Sequence, residues 1–445
     1  MTPHISQRLR FSLIGLGALL LTAAAPAQTG RPEADGDTQP TATAQLTLDD
    51  LRTFTDVFNQ VRRNYVENVD DRTLLESAIR GMLSELDPHS SYISGDDYRD
   101  LRDSSEGHYE GIGVDVEPRD GRIAVISVIN DGPADRAGIN PGDIITAIDG
   151  EPVEGRDPEE AIDTLLGKAG TTVDLVILSP EGEERSAKVQ REYLQIPTMW
   201  FRLLDRSWGY FHIGVFNKDS AVDLKKSLDS IDEDGIALRG IVIDLRDNPG
   251  GVLQGAVEMA DGFLEEGLIV TTRGRNSAMQ MEFRAHPGQW LPGVPLVLLV
   301  DRGTASASEV LAGALQDHRR ALIVGERTFG KGSVQSVLPL RNGDGIKLTT
   351  ARYYTPSGRS IQAKGIDPDV VYEAGGVANP EAGRKREADL ERHLDRDPTA
   401  APESGNAGSP ANGIDLDEAL RVLEEAKILV GPEAPTDGPR SVDPP

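Results

Sequence analysis

Cysteine is absent from the 445-residue chain, which excludes disulfides, a thiolate nucleophile and zinc-thiolate centres. Histidine is scarce as well. The seven histidines, His4, His89, His108, His212, His286, His318 and His393, are scattered without an HExxH or other close ligand spacing, so no metal site is visible. Basic residues are outnumbered: 46 Lys and Arg against 73 Asp and Glu give a net charge of -27, which repels phosphate backbones and anionic lipid surfaces. Nucleic acid is not an expected partner, and the charge reads as solubility. Long apolar runs are missing except near the start, where Arg8 and Arg10 precede Phe11–Leu21 and the small-residue site Ala25-Pro26-Ala27. Phe11–Ala25 falls short of the roughly 20 residues of a spanning helix, so residues 1–27 read as a secretory signal cleaved after Ala27, with an uncleaved anchor as the alternative. Export to a periplasm or the cell exterior is expected either way.

With 38% hydrophobic and 27% charged residues, the chain has the composition of a soluble globular protein of two or three domains. Its most informative stretch is VDRGTASASEVLAGALQDHRRALIVGERTFGKGSVQ, from Val300 to Gln335. Apolar Ala307, Val310, Leu311, Ala314 and Leu315 have helical spacing, so a helix begins close to Ser306. The first amides of a helix lack intrahelical partners and favour an oxyanion, and the Ala307 N–H is the obvious donor. Ala321–Val324 follows as a buried strand, and then Lys331 sits between Gly330 and Gly332 in a tight segment. Burial lowers a lysine toward neutrality, where it can act as a base, so Ser306 and Lys331 form a candidate dyad. Gly325–Lys331 also approaches the phosphate-loop pattern. The Ser/Thr that would bind magnesium is replaced by Gly332, and export leads away from ATP, so neither nucleotide nor any other cofactor is expected.

Three motifs resemble the carboxyl-terminal processing peptidases, or tail-specific proteases: DLRDNPGG at Asp244–Gly251, TASASE at Thr304–Glu309 and GERTFGKGSVQ at Gly325–Gln335. The resemblance implies Ser306 as nucleophile, Lys331 as general base, Gln335 as the residue orienting the lysine, and an oxyanion amide from Gly250 or Gly251 acting with Ala307. Asp244, Arg246 and Asn248 are expected to support the turn. DPHSSY at Asp87–Tyr92 also fits, with His89 structural rather than catalytic. PADRAGINPGDIITAIDGEPV at Pro133–Val153, with GIGV at Gly111–Val114, resembles a PDZ domain. That resemblance implies that Gly111, Ile112, Gly113 and Val114 receive a peptide's terminal carboxylate on backbone N–H groups, while the adjoining strand adds the peptide to its sheet.

Taken in order, residues 28–46 read as a flexible leader and 47–103 as a helical region with apolar stripes at Leu51, Phe54, Phe58, Val61, Tyr65 and at Leu74–Leu86. Residues 104–193 form the PDZ domain, with short strands and a helix opened by Asp157-Pro158. Residues 194–373 alternate strand, glycine or serine turn, and helix, which argues for an α/β core with parallel strands and functional groups at their carboxyl ends. The resemblance makes that core crotonase-like or ClpP-like. Residues 374–412 read as a low-complexity linker, 413–431 as a helix and 432–445 as a tail. The helix stripe of Leu416, Ala419, Leu420 and Leu423 docks on its own chain or joins a homodimer, and the family also builds dimers with its N-terminal helices.

The expected function is therefore an exported serine endopeptidase guided by a PDZ domain to the C-termini of polypeptide substrates, with an adaptor left open. One alternative is a catalytically silent peptide-binding scaffold. Another is a Ser-His-Asp hydrolase using His318, but twelve residues along one helix puts it about 18 Å from Ser306. Whether His212 comes near is not legible in the sequence.

Overall fold

Gly240–Asp244 and Leu296–Val300 are buried at every position, the signature of strands covered on both faces. In the computed structural model they lie side by side in a six-stranded sheet. Its order is Met199–Leu204, Trp208–Ile213, Gly240–Asp244, Leu296–Val300, Leu322–Gly325 and Val370–Val371. All neighbours are parallel except the first pair. The structure describes residues 46–371, apart from 120, 130, 181, 196–197 and 205–206, together with 385–401 and position 421. The leader sequence and the expected helix over 413–431 lie outside the described residues, position 421 excepted.

Helices Ser220–Glu233, Leu253–Phe263 and Ala307–Asp317 cover the sheet, and Ile241, Ile243, Leu298, Met259, Phe263, Leu311 and Leu315 join one core. Each such side chain contributes about 1.5–3 kcal/mol when fully buried. A second, antiparallel sheet includes Ser333–Pro339, which follows Lys331, paired with Gly345–Tyr354. Ser91–Ile93, just after the DPH turn, pairs with the start of the latter strand, so the N-terminal region is built into this layer.

The PDZ insert has its own sheet, in the order Val114–Arg119, Arg122–Val128, Ile144–Ile148, Thr172–Leu178 and Glu184–Gln190, and its own apolar core around Ile123, Ile145 and Val173. Asp157 caps its helix Pro158–Asp163 by accepting the Glu160 N–H. His108–Gly111 pairs antiparallel with Glu192–Gln195, so the chain enters and leaves the insert side by side.

The stripe on the first helix, Leu48–Asn64, is uncovered: none of its residues is buried, and Leu51, Phe54, Val57 and Val61 are exposed. Helical spacing reveals an apolar face but not what covers it. The linker expected over 374–412 is interrupted by a seated segment: within 385–401, Glu387 is fully buried and the Tyr354 hydroxyl donates to Asp397. Hydrogen bonds to buried partners hold a stretch whose composition alone suggests loose chain.

Candidate active site

Three turns converge at the carboxyl ends of the central strands. The first, after Gly240–Asp244, begins with the fully buried Asp244, which accepts from the Tyr210 hydroxyl (2.6 Å), the Arg246 N–H (3.0 Å) and Arg246 Nε (2.9 Å). Burial alone would raise this carboxyl, yet the adjacent Arg246 guanidinium holds it below the usual range. The expected supporting role of Asp244 and Arg246 fits this pinned geometry. Asn248 Nδ2 donates to the Ile213 carbonyl (2.8 Å), and its Oδ1 accepts the Gly250 N–H (2.9 Å).

The second turn carries Ser306. Its backbone lies at φ 56°, ψ -117°, a region costing an ordinary residue about 1–3 kcal/mol and kept only where the surroundings over-determine it. The surroundings here are specific. The Ala305 N–H donates to the Asn248 carbonyl (2.9 Å), and Asp301 Oδ1 accepts N–H groups from Asp247 (2.9 Å), Gly303 (2.9 Å) and Thr304 (3.0 Å). First and second turns are thus stitched together. Gly250, at φ 103°, presses against them: a Cβ there would stand 2.8 Å from Ser306 Cβ and 2.9 Å from the Ala307 nitrogen.

The third turn, Thr328–Gly332, brings Lys331. The Phe329 N–H donates to the Thr304 carbonyl (3.0 Å), but the main tie is Glu309, a residue to which the sequence reading gave no role. Its buried carboxylate accepts the N–H of Ser306 (2.9 Å), Gly330 (2.7 Å) and Lys331 (2.9 Å) and the Thr328 hydroxyl. Burial pushes this carboxyl up to about 7, against those four donors. One side chain therefore fixes the nucleophile candidate relative to the base candidate. The Ser-x-x-Glu spacing of a capping box was the signal that could have found it.

Lys331 is buried, and its amine is pulled down to about 8, first by burial and then by neighbouring Lys347. Ser306 Oγ is buried without a hydrogen-bond partner, and so is Gln335 Oε1. Gln335 Nε2 donates to Ser333 (2.9 Å) and Thr349 (3.3 Å), so in this conformation the glutamine does not grip the lysine and the serine does not bond it.

His318 ends the serine helix with Nε2 against the Leu268 carbonyl (2.6 Å), engaged away from Ser306. His212 lies beside Asp244 in the sheet, packed at a tilt against Trp200 and lowered in pKa by burial, with no hydrogen bond to Ser306. His89 bonds Glu387 through Nε2 at 2.8 Å. Among the described residues no His, Asp or Glu group has the arrangement of a metal centre.

In the PDZ insert, Gly111 closes one strand and Val114 opens the next. Between them, Ile112 inserts into the apolar core and Gly113 takes φ 82°. The Ile112 and Gly113 carbonyls accept from Ala134 and Ile129, both at 2.9 Å, and Val114–Arg119 is an edge strand of the sheet.

A PDZ unit set beside an α/β body whose strained serine and buried lysine share one carboxylate tie has the layout of a serine peptidase. Comparison with known proteins agrees: residues 207–372 match peptidase family S41, 125–179 match the PDZ domain, and 16–96 match the activating protease CtpB N-terminal domain. A carboxy-terminal-processing protease of Bartonella bacilliformis is 40% identical over 85% of this chain and 89% of its own length. The Bacillus subtilis carboxy-terminal processing protease CtpA is 33% identical over 71% of this chain and 67% of its own. A solved photosystem II D1 C-terminal processing protease is 30% identical, covering 74% of this chain and 94% of that one with a TM-score of 0.44. The chain belongs to the carboxy-terminal-processing serine proteases of family S41.

Proposed function

We propose that the protein is an endopeptidase with a Ser306–Lys331 dyad, directed to polypeptide C-termini by its PDZ domain. The observation that carries the reading is the burial of Lys331, with its amine pulled down to about 8, in a turn that Glu309 ties to the Ser306 amide. A neutral amine accepts the proton of Ser306 Oγ as it attacks a peptide carbonyl, and returns that proton to the departing amine. Water then releases the acyl-enzyme. The Ala307 N–H opens the helix and faces the developing oxyanion. For the second donor, the Gly250 N–H is taken by Asn248, while the Gly250 carbonyl and Val252 N–H both face Phe216. The intervening Gly251 N–H therefore points the other way, and Gly251 is the better candidate.

Since Ser306 Oγ and Gln335 Oε1 are both unpartnered, catalysis requires side-chain movement that brings serine, lysine and glutamine into one chain of hydrogen bonds. On the PDZ side, a substrate tail extends the edge strand Val114–Arg119 while its carboxylate meets amides of Gly111–Val114. The exposed first helix is offered to a second copy or to the chain's own C-terminal helix. Residues 1–27 act as the export signal. The test is mass spectrometry of a protein substrate incubated with wild type, Ser306→Ala and Lys331→Ala: cleavage by wild type alone supports the reading, and equal fragments from either variant remove it.

A further inference from the structure

The segment 385–401 returns to the body at the lysine turn. The Glu387 N–H donates to the Phe329 carbonyl (3.2 Å), two residues before Lys331. Its side chain is fully buried, with Oε1 accepting from Gln362 Nε2 (2.8 Å) and Oε2 bonded to His89 Nε2 (2.8 Å). Gln362 is in turn pressed on the lysine turn, since a Cβ on Gly332 would lie 2.1 Å from the Gln362 nitrogen. The same segment is anchored on both sides: Arg392 reaches the Ser84 carbonyl (3.2 Å) and Glu85 (2.8 Å), and the Ala401 N–H donates to Gly358 (3.0 Å). A buried carboxylate joining the DPH turn, the Gln362 turn and the lysine turn is costly to desolvate, so a purely structural contact could be made more cheaply by an apolar side chain.

We infer that Glu387 is a positioning residue for Lys331: it holds the lysine turn against the His89 and Gln362 turns and places a negative charge behind that turn. The inference rests on Lys331 being the base. Four charged groups on neighbouring elements act electrostatically on that amine: Lys347 from the second sheet, Glu309 from the serine helix, Asp87 from the DPH turn and Glu387 from the returning segment, the last bonded in turn to titratable His89. Lys347 favours the neutral amine, and the three carboxylates oppose it, Glu387 foremost among them. Glu387 thus works against burial and Lys347 and reduces the share of the lysine that is neutral.

The experiment is the rate of fluorophosphonate labelling of Ser306 against pH in the full chain, with thermal melting as the check on folding. In Glu387→Gln, which keeps the shape and removes the charge, the midpoint of the rising limb should move to lower pH by about half a unit or more. Glu387→Asp keeps the charge but cannot span Gln362 and His89, so its midpoint should stay with wild type while its plateau rate falls several-fold. An unshifted midpoint in folded Glu387→Gln, or wild-type labelling by Glu387→Asp, overturns the inference. Wild type with no rising limb, or Lys331→Ala labelled as fast as wild type, overturns the dyad reading and this inference together, whereas a normal wild-type limb unchanged in Glu387→Gln overturns this one alone.

Discussion

The PDZ insert and the peptidase body solve the problem of a functional site in opposite ways. The insert packs an apolar core, its buried charges Asp143 and Arg191 are engaged in structural bonds, and its candidate site is backbone: a glycine turn and an unpaired strand edge. The body buries Lys331, Glu309, Asp244 and Glu387 beside its apolar core and places a serine in strained backbone. A backbone site tolerates most side-chain change outside its glycines. A site made of buried charges depends on each partner, because removing one leaves the others desolvated and unpaired.

The largest separation between the two regions is expected for Ser306→Ala and Lys331→Ala, with cleavage rates falling by about 10³-fold or more while peptide affinity at the PDZ domain is unchanged. Lys331→Arg should be equally inactive, since guanidinium stays protonated. Binding measured by anisotropy and cleavage by mass spectrometry read the two regions independently. Glu309→Gln comes next: its amide confronts N–H donors with another donor, each unpaired one costing about 1–3 kcal/mol, so both the melting temperature and the rate should drop, the latter by about 100-fold. Gly250→Ala should lower the labelling rate of Ser306 by about tenfold or more, because the new methyl group meets the serine turn at a φ that alanine resists. A wild-type labelling rate in that variant would show that the first turn has room to yield.

On the other side of the comparison, Gly113→Val should weaken binding of a free C-terminal peptide about tenfold, and amidating that peptide should do the same to wild type. Neither change should alter labelling of Ser306 by a small fluorophosphonate. The smallest effect is expected for His318→Ala, which loses a bond to the Leu268 carbonyl and should keep cleavage within about twofold of wild type.

These contrasts also explain what was legible in the sequence. The strand, turn and helix alternation around Asp244–Gly251 and Val300–Asp317 announced itself through local spacing, as did the PDZ strands, because buried parallel strands and glycine turns have compositional marks. Glu309 was half legible: its distance from Ser306 is a capping-box spacing, but its bonds to Gly330 and Lys331 cross 21 and 22 positions of sequence. Glu387 was not legible at all, since its partners Gln362 and His89 lie in turns far away in the chain and its own surroundings are rich in charge. The stripe on Leu48–Asn64 gave the helix and left its covering unknown.

The central claim is that a buried, neutral Lys331 takes the proton of Ser306. The most direct measurement is the pH dependence of Ser306 labelling by a fluorophosphonate in wild type and Lys331→Ala. The account predicts a wild-type rate that rises with pH and levels off through a midpoint near 8, as the amine loses its proton, and a slow, flat profile for the variant. A folded Lys331→Ala that keeps the wild-type limb and rate would contradict it.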